Sequence, residues 1–189
     1  VKTPPSHNDV IQSIRTWLSD IIIGHNFCPF AKREFERDSI AYRICESITL
    51  DEATNQFLIE LQNLEQNNKI ETSLLIFSLG FSDFDEYLDL VAMAQALIDR
   101  GGYGGKFQLA SFHPDYCFEG ESHDDLSNYT NRSPLPILHI LRESSLDRVL
   151  RTYPDPENIP QRNIAKAQQL GQAYWLRTMR KLSAQKTDI

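Results

Sequence analysis

Residues 72–77 read TSLLIF, a run of strand length in which apolar residues follow one another without alternation. A strand with one solvated face alternates between apolar and polar side chains. A strand that does not alternate must be covered on both faces. The chain therefore has to supply layers on either side of this segment, and the flanking sequence supplies helices.

Val10, Ile11, Ile14, Trp17, Leu18, Ile21 and Ile22 recur at helical spacing and predict an amphipathic helix over 8–23, with Gly24 and Asn26 as stop signals. SIAYRICESI (39–48) reads as a strand. Ala53, Phe57, Leu61 and Leu64 mark a helix after Asp51. A third helix opens at Asp83–Asp85, whose carboxylates suit a helix N-terminus, and carries Tyr87, Val91, Ala94 and Ile98 on one side. FQLASF (107–112) and PILHILRE (136–143) read as strands. A short helix is expected over 145–150, and a last one from about 162 to 182 after the break YPDPENIP.

Two strand–helix–strand crossovers followed by a strand that can return antiparallel give an α/β (α+β) architecture. It has a mixed sheet of about four strands, covered by helices, with helices at both ends of the chain and a long functional loop. The 189 residues fit one domain, with residues 1–7 and 184–189 expected as flexible termini. GGYGG (101–105) has the composition of a phosphate loop, but it leaves a helix and enters a strand. Phosphate loops run the other way, so this one reads as a helix end and turn.

The net charge of −7 argues against general binding to nucleic acid or to an anionic membrane. The cations Arg162, Lys166, Arg177, Arg180, Lys181 and Lys186 lie in an acid-free stretch and read as a solvated helix face. Three cysteines, Cys28, Cys45 and Cys117, form no disulfide framework. With no signal segment or membrane-length apolar run, the expected location is the cytoplasm. No motif implies a cofactor.

Two regions carry candidate chemistry. In GHNFCPFA (24–31), Pro29 is suited to the first position of a short helix, which makes Cys28 its cap. Free amides, the helix dipole, Lys32 and Arg33 would then stabilise the thiolate, the form that acts as a nucleophile. The plainer alternative makes Cys28 a small core residue beside Phe27 and Phe30. The second region runs from 112 to 143. There His113 and His139 are candidate acid–base groups, Arg132 with Asn131 a clamp, and Tyr116, Asn128 and Arg142 further substrate-binding residues. Alternation places His139 on the face of Ile137 and Leu141, opposite Arg142. The alternative is again structural: amides capping turns, arginines anchoring the loop, a satisfied core histidine in ILHILR. The spacing of His113, Cys117 and His123 lacks the companions of a recognised metal motif, so no metal site is assigned.

NFCPFA (26–31), FHPDYCFEG (112–120) and DDLSNYTNRSPLPILHILRES (124–144), with weaker likeness at ETSLLIF (71–77) and RNI (162–164), resemble the motifs of a bacterial family classed as a domain of unknown function. Phe27, His25 and Leu135 depart from the usual pattern. The resemblance implies a cytoplasmic single-domain protein and makes Cys28, His113, Tyr116, Asn128, Asn131, Arg132, His139 and Arg142 its motif residues. It supplies no reaction.

Three functions remain open on these grounds. One is an enzyme acting on a small anionic metabolite through Cys28, His113 or His139 and Arg132. Another is a non-catalytic module binding a metabolite or protein, and the third is a metal-assisted hydrolase.

Overall fold

A computed structural model describes residues 6–184. Most of the predicted flexible termini lie outside that range. Within it, Ser6 caps the first helix through a reciprocal capping box with Asp9.

Four strands, β1 (Ile40–Cys45), β2 (Thr72–Phe77), β3 (Phe107–Phe112) and β4 (Ile137–Arg142), form one mixed sheet in the order β1-β2-β4-β3. β1 and β2 are parallel, and β4 runs antiparallel to both β2 and β3. The last strand thus returns antiparallel and inserts between the ends of the second crossover. TSLLIF is buried at all six positions, as its lack of alternation requires.

The helices α3 (Leu50–Gln66) and α4 (Phe84–Arg100) cover one face of the sheet. Their N-termini are capped by Thr49 and Asp83, whose side chains accept from amides of the first turn. Phe57, Leu61, Leu64, Tyr87, Leu90 and Ala94 pack there against Leu75, Phe77, Leu138 and Ile140. The Tyr87 hydroxyl donates to Ile137 O at 2.6 Å and accepts from Phe112 N at 3.1 Å, tying α4 to two adjoining strands.

The opposite face is covered by pieces from both ends of the chain. These are α1 (His7–Trp17), a π-helical segment (Leu18–Ile23), α2 (Ala31–Glu36), a 3-10 turn (Leu126–Thr130), α6 (Ile159–Leu170) and α7 (Gln172–Ala184). α5 (Glu143–Leu150) follows β4 directly.

Two boundaries depart from the periodic expectation. The first helix widens into π geometry after Trp17 and closes at Gly24, where a Cβ would lie 2.3 Å from Asp20 O. The expected helix over 162–182 is two helices, because Gly171 adopts φ 77° and ψ 162°, a conformation closed to other residues. The cations along α6 and α7 are largely solvated. Among the described residues no helix is long and apolar enough to cross a membrane.

Candidate functional site

A cavity of about 440 Å³ lies on the α1 face of the sheet. Its floor is a patch of alternate sheet residues: Leu74 of β2, His139 and Leu141 of β4, and Gln108, Ala110 and Phe112 of β3. Register explains the grouping, since Leu74 and Ala110 both pair with His139 in the sheet. One wall comes from Trp17, Leu18 and Ile22, continuing into Phe27, Cys28, Phe30 and Ala31. Leu146, Leu150, Pro156, Ile159, Pro160 and Asn163 supply another side, and Thr130 and Asn131 close an end. Among the described residues no lysine, arginine, aspartate or glutamate lines it.

Of the residues singled out from the sequence, Cys28, Asn131 and His139 meet at this cavity. More than a hundred positions apart in the chain, the early thiol and the late segment do fold around one hollow. The thiol is not activated in the way its sequence context suggests. α2 begins at Ala31 with Phe30 as its N-cap, so Pro29 and Cys28 sit in the turn before it. Burial raises the thiol's pKa, and this outweighs the opposing pull of hydrogen bonds from the Phe30 and Ala31 amides. The sulfur is a neutral thiol at neutral pH.

His139 is half-buried on the cavity floor. Its Nε2 lies 2.6 Å from Thr72 Oγ1, and burial pushes its pKa down to about 4. The ring is therefore neutral at physiological pH. Asn131 donates to Ser111 O at 3.1 Å, and its Oδ1 lies 3.1 Å from Thr130 Oγ1, whose hydrogen goes to the nearer Ser127 O at 2.8 Å. The main-chain carbonyl of Asn131 accepts from His113 N, which extends the β3 edge.

The other motif residues are drawn away from the cavity. His113 is fully buried on the α4 side against Phe84 and Tyr87. Its Nε2 donates to Phe81 O at 2.9 Å and its Nδ1 accepts from Asp115 N at 3.0 Å. Both nitrogens are occupied and burial lowers the pKa, so the ring staples two loops and is not free to move a proton. The two histidines lie on neighbouring strands or their extensions, yet on opposite sides of the sheet.

Arg132, expected as a clamp, is 7% exposed and donates to Tyr116 O and His123 O with its guanidinium over the Tyr129 ring. Its own carbonyl accepts from Trp17 Nε1. Asn128 is fully buried and organises the same loop, accepting from Phe118 N and donating to Ser122 O and His123 O. Tyr116 packs on Phe84 and Phe118. Arg142 closes the C-terminal end of α3 by donating to Leu64 O, Asn67 O and Ile70 O. These groups shape the long loop and its supports. The loop is ordered because its polar side chains are spent on its own backbone.

Sequence reasoning missed Thr72, Gln108 and Asn163 as cavity residues. Thr72 and Asn163 fall in the two weaker resemblance segments, ETSLLIF and RNI, which were the available signal. Among the described residues no three His, Cys, Asp or Glu side chains gather to hold a metal ion, so His113, Cys117 and His123 do not converge.

A family model described as "Protein of unknown function (DUF1415)" matches residues 9–177. The chain belongs to that family. No curated protein and no solved structure matches it.

Proposed function

We propose that this member of the DUF1415 family binds a small, uncharged, mainly apolar molecule in the cavity beneath α1 and α6, with Cys28, Asn131 and His139 as its polar contacts. The observation that carries this reading is the lining. A space of about 440 Å³ is walled mainly by aromatic and aliphatic side chains, with a few neutral polar ones and, among the described residues, no lysine, arginine, aspartate or glutamate. That volume is in the range of small-molecule sites, where an apolar wall supplies affinity and a few polar groups fix orientation. The anionic metabolite expected from the sequence finds no cation there, since Arg132 and Arg142 donate to main-chain carbonyls elsewhere. Three free cysteines support a reducing compartment such as the cytoplasm.

Naphthalene is a suitable probe, titrated against the ¹⁵N-labelled protein. Amide shifts should concentrate at Trp17–Ile22, Phe27–Ala31 and Phe107–Phe112, and Ala110→Trp, which fills the floor, should abolish them while the protein stays folded. Failure of naphthalene to bind, or shifts unaffected by Ala110→Trp, would overturn the reading.

A catalytic role for the thiol is the second reading, favoured by the shared placement of Cys28 and His139. It requires a sulfur that ionises below the range of an ordinary cysteine. The binding reading needs no ionised sulfur, so on that reading Cys28→Ser still binds naphthalene.

A further inference from the structure

On the cavity floor the hydrogen-bonding direction of His139 is set by its neighbour Thr72. Thr72 Oγ1 lies 2.7 Å from Ile140 O and 2.6 Å from His139 Nε2. A carbonyl oxygen can only accept, so at that distance it takes the hydroxyl's single hydrogen. The hydroxyl then meets the imidazole as an acceptor, and Nε2 must carry the ring hydrogen. A neutral imidazole has one N–H, which leaves Nδ1 as a lone pair. Among the described residues no side chain or amide donates to it.

Several other polar groups of the lining donate to the main chain, each asparagine keeping a second N–H, and exposed Gln108 also lines the cavity. Asn163 donates to Phe27 O at 2.7 Å, Thr130 to Ser127 O at 2.8 Å and Asn131 to Ser111 O at 3.1 Å. His139 lines a mainly apolar cavity, and a ligand that displaces water there and donates to the unpaired Nδ1 gains selectivity over one that displaces the water without replacing its hydrogen bond.

We infer that the ligand of this cavity presents an uncharged hydroxyl or N–H donor to His139 Nδ1, and that Thr72 enforces this by holding the ring in its Nε2–H tautomer. The inference rests on the binding reading above and narrows it to a class: an apolar ring or chain bearing an alcohol, phenol or neutral N–H. A carboxylate or phosphate would set negative charge against a lone pair with no lysine or arginine among the described lining residues. An ether or ketone would bring an acceptor to an acceptor.

Ring ¹⁵N resonances of His139 report the tautomer in the unsubstituted protein at neutral pH, and protonated Nε2 with bare Nδ1 is expected. A matched probe set then reads the selectivity. 2-Naphthol should bind about tenfold more tightly than 2-methoxynaphthalene, the scale of one hydrogen bond in such a site. 2-Naphthoate should bind more weakly than either. His139→Phe should erase the preference for the naphthol. Thr72→Val, close in shape, frees the tautomer and should reduce the preference while naphthalene still binds. Equal affinities for naphthol and its methyl ether, or a hydrogen on Nδ1 in the free protein, would overturn the inference and leave the binding reading standing. If naphthalene itself does not bind, the binding reading falls and takes this one with it.

Discussion

The two faces of the sheet are built from the same strands and end differently. One is sealed by α3 and α4, each of 17 residues, each following a strand in a crossover and presenting a continuous apolar stripe. Phe57, Leu61 and Leu64 on that stripe have no exposed surface. The other face is covered by shorter or irregular pieces, among them a π-helical segment, the six-residue α2, a 3-10 turn and the broken pair α6–α7. Regular helices tile a sheet by ridges and grooves, whereas a patchwork with turns between its parts leaves space. The cavity lies where the patchwork meets the sheet.

The largest test of that contrast compares truncations on the two faces. Phe57→Ala, on the sealed face, should cost about 3–5 kcal/mol, because the surrounding packing is rigid and a new void opens. Leu141→Ala borders space that already exists and should fall at the low end of the aliphatic range, about 2 kcal/mol. Denaturant midpoints at unchanged slope measure both. Equal losses would mean that the cavity face is as tightly packed as the other.

Acid acts next, through an imidazole on each side of the sheet. His139 has a folded pKa of about 4 against an ordinary value of 6.5. As pH falls below 6.5 the unfolded chain takes up its proton first, so the stability present above 6.5 is lost progressively toward pH 4. A shift of that size corresponds to roughly 2–3 kcal/mol after discounting for the ring's partial exposure. His113, also lowered by burial, contributes with the same sign. Stability measured from pH 7 to pH 4 should therefore decline, and His139→Gln should flatten the decline. If naphthalene binds to the neutral-ring form, it should also steepen the wild-type curve. An unchanged slope in His139→Gln would show that the ring titrates normally.

The same contrast explains what could be read from the chain. The strands, the helices α3 and α4 and the acidic start of α4 at Asp83 are periodic or local features, so patterning shows them directly, whereas the Thr49 cap of α3 was found only in the structure. TSLLIF required cover on both faces and received it. Nothing periodic encodes the cavity. It depends on Gly171 splitting a helix, on a π-helical segment and on Pro156 and Pro160 lining one side, all of which are products of tertiary packing. The polar motif 112–143 was legible as a dense cluster, but density did not say which way each side chain turns. Arg132 and Asn128 donate to carbonyls of their own loop and Arg142 to those at the end of α3, and so all three became supports. His139 sits in a strand whose alternation fixed its face, and that position could be read correctly.

Tyr87 tests the seam between the faces. Tyr87→Phe preserves the ring but leaves Ile137 O and Phe112 N without their partner in a buried place. The expected loss is about 1–3 kcal/mol, again from denaturant midpoints. Because Phe112 also lines the cavity, the substitution should weaken naphthalene binding slightly, whereas Phe57→Ala should not.

The smallest effect concerns the thiols and divides the faces by access alone. Cys28 lies at the cavity wall, while Cys45, 3% exposed, belongs to the sealed core. In a Cys117→Ser background, Cys28 should react with iodoacetamide slowly at pH 7, because burial raises its pKa and reduces the reactive thiolate. The rate should climb with pH to a midpoint above the usual cysteine value of about 8.5, and naphthalene in the cavity should slow it. Cys45 should label only through unfolding, so its rate should follow denaturant and ignore naphthalene. Rapid labelling of Cys28 with a low midpoint would reverse the assignment of a neutral thiol and restore the nucleophile. Labelling of both cysteines at one denaturant-dependent rate would mean that the cavity does not admit the reagent, and the distinction between an accessible and a sealed face would fail at the thiol.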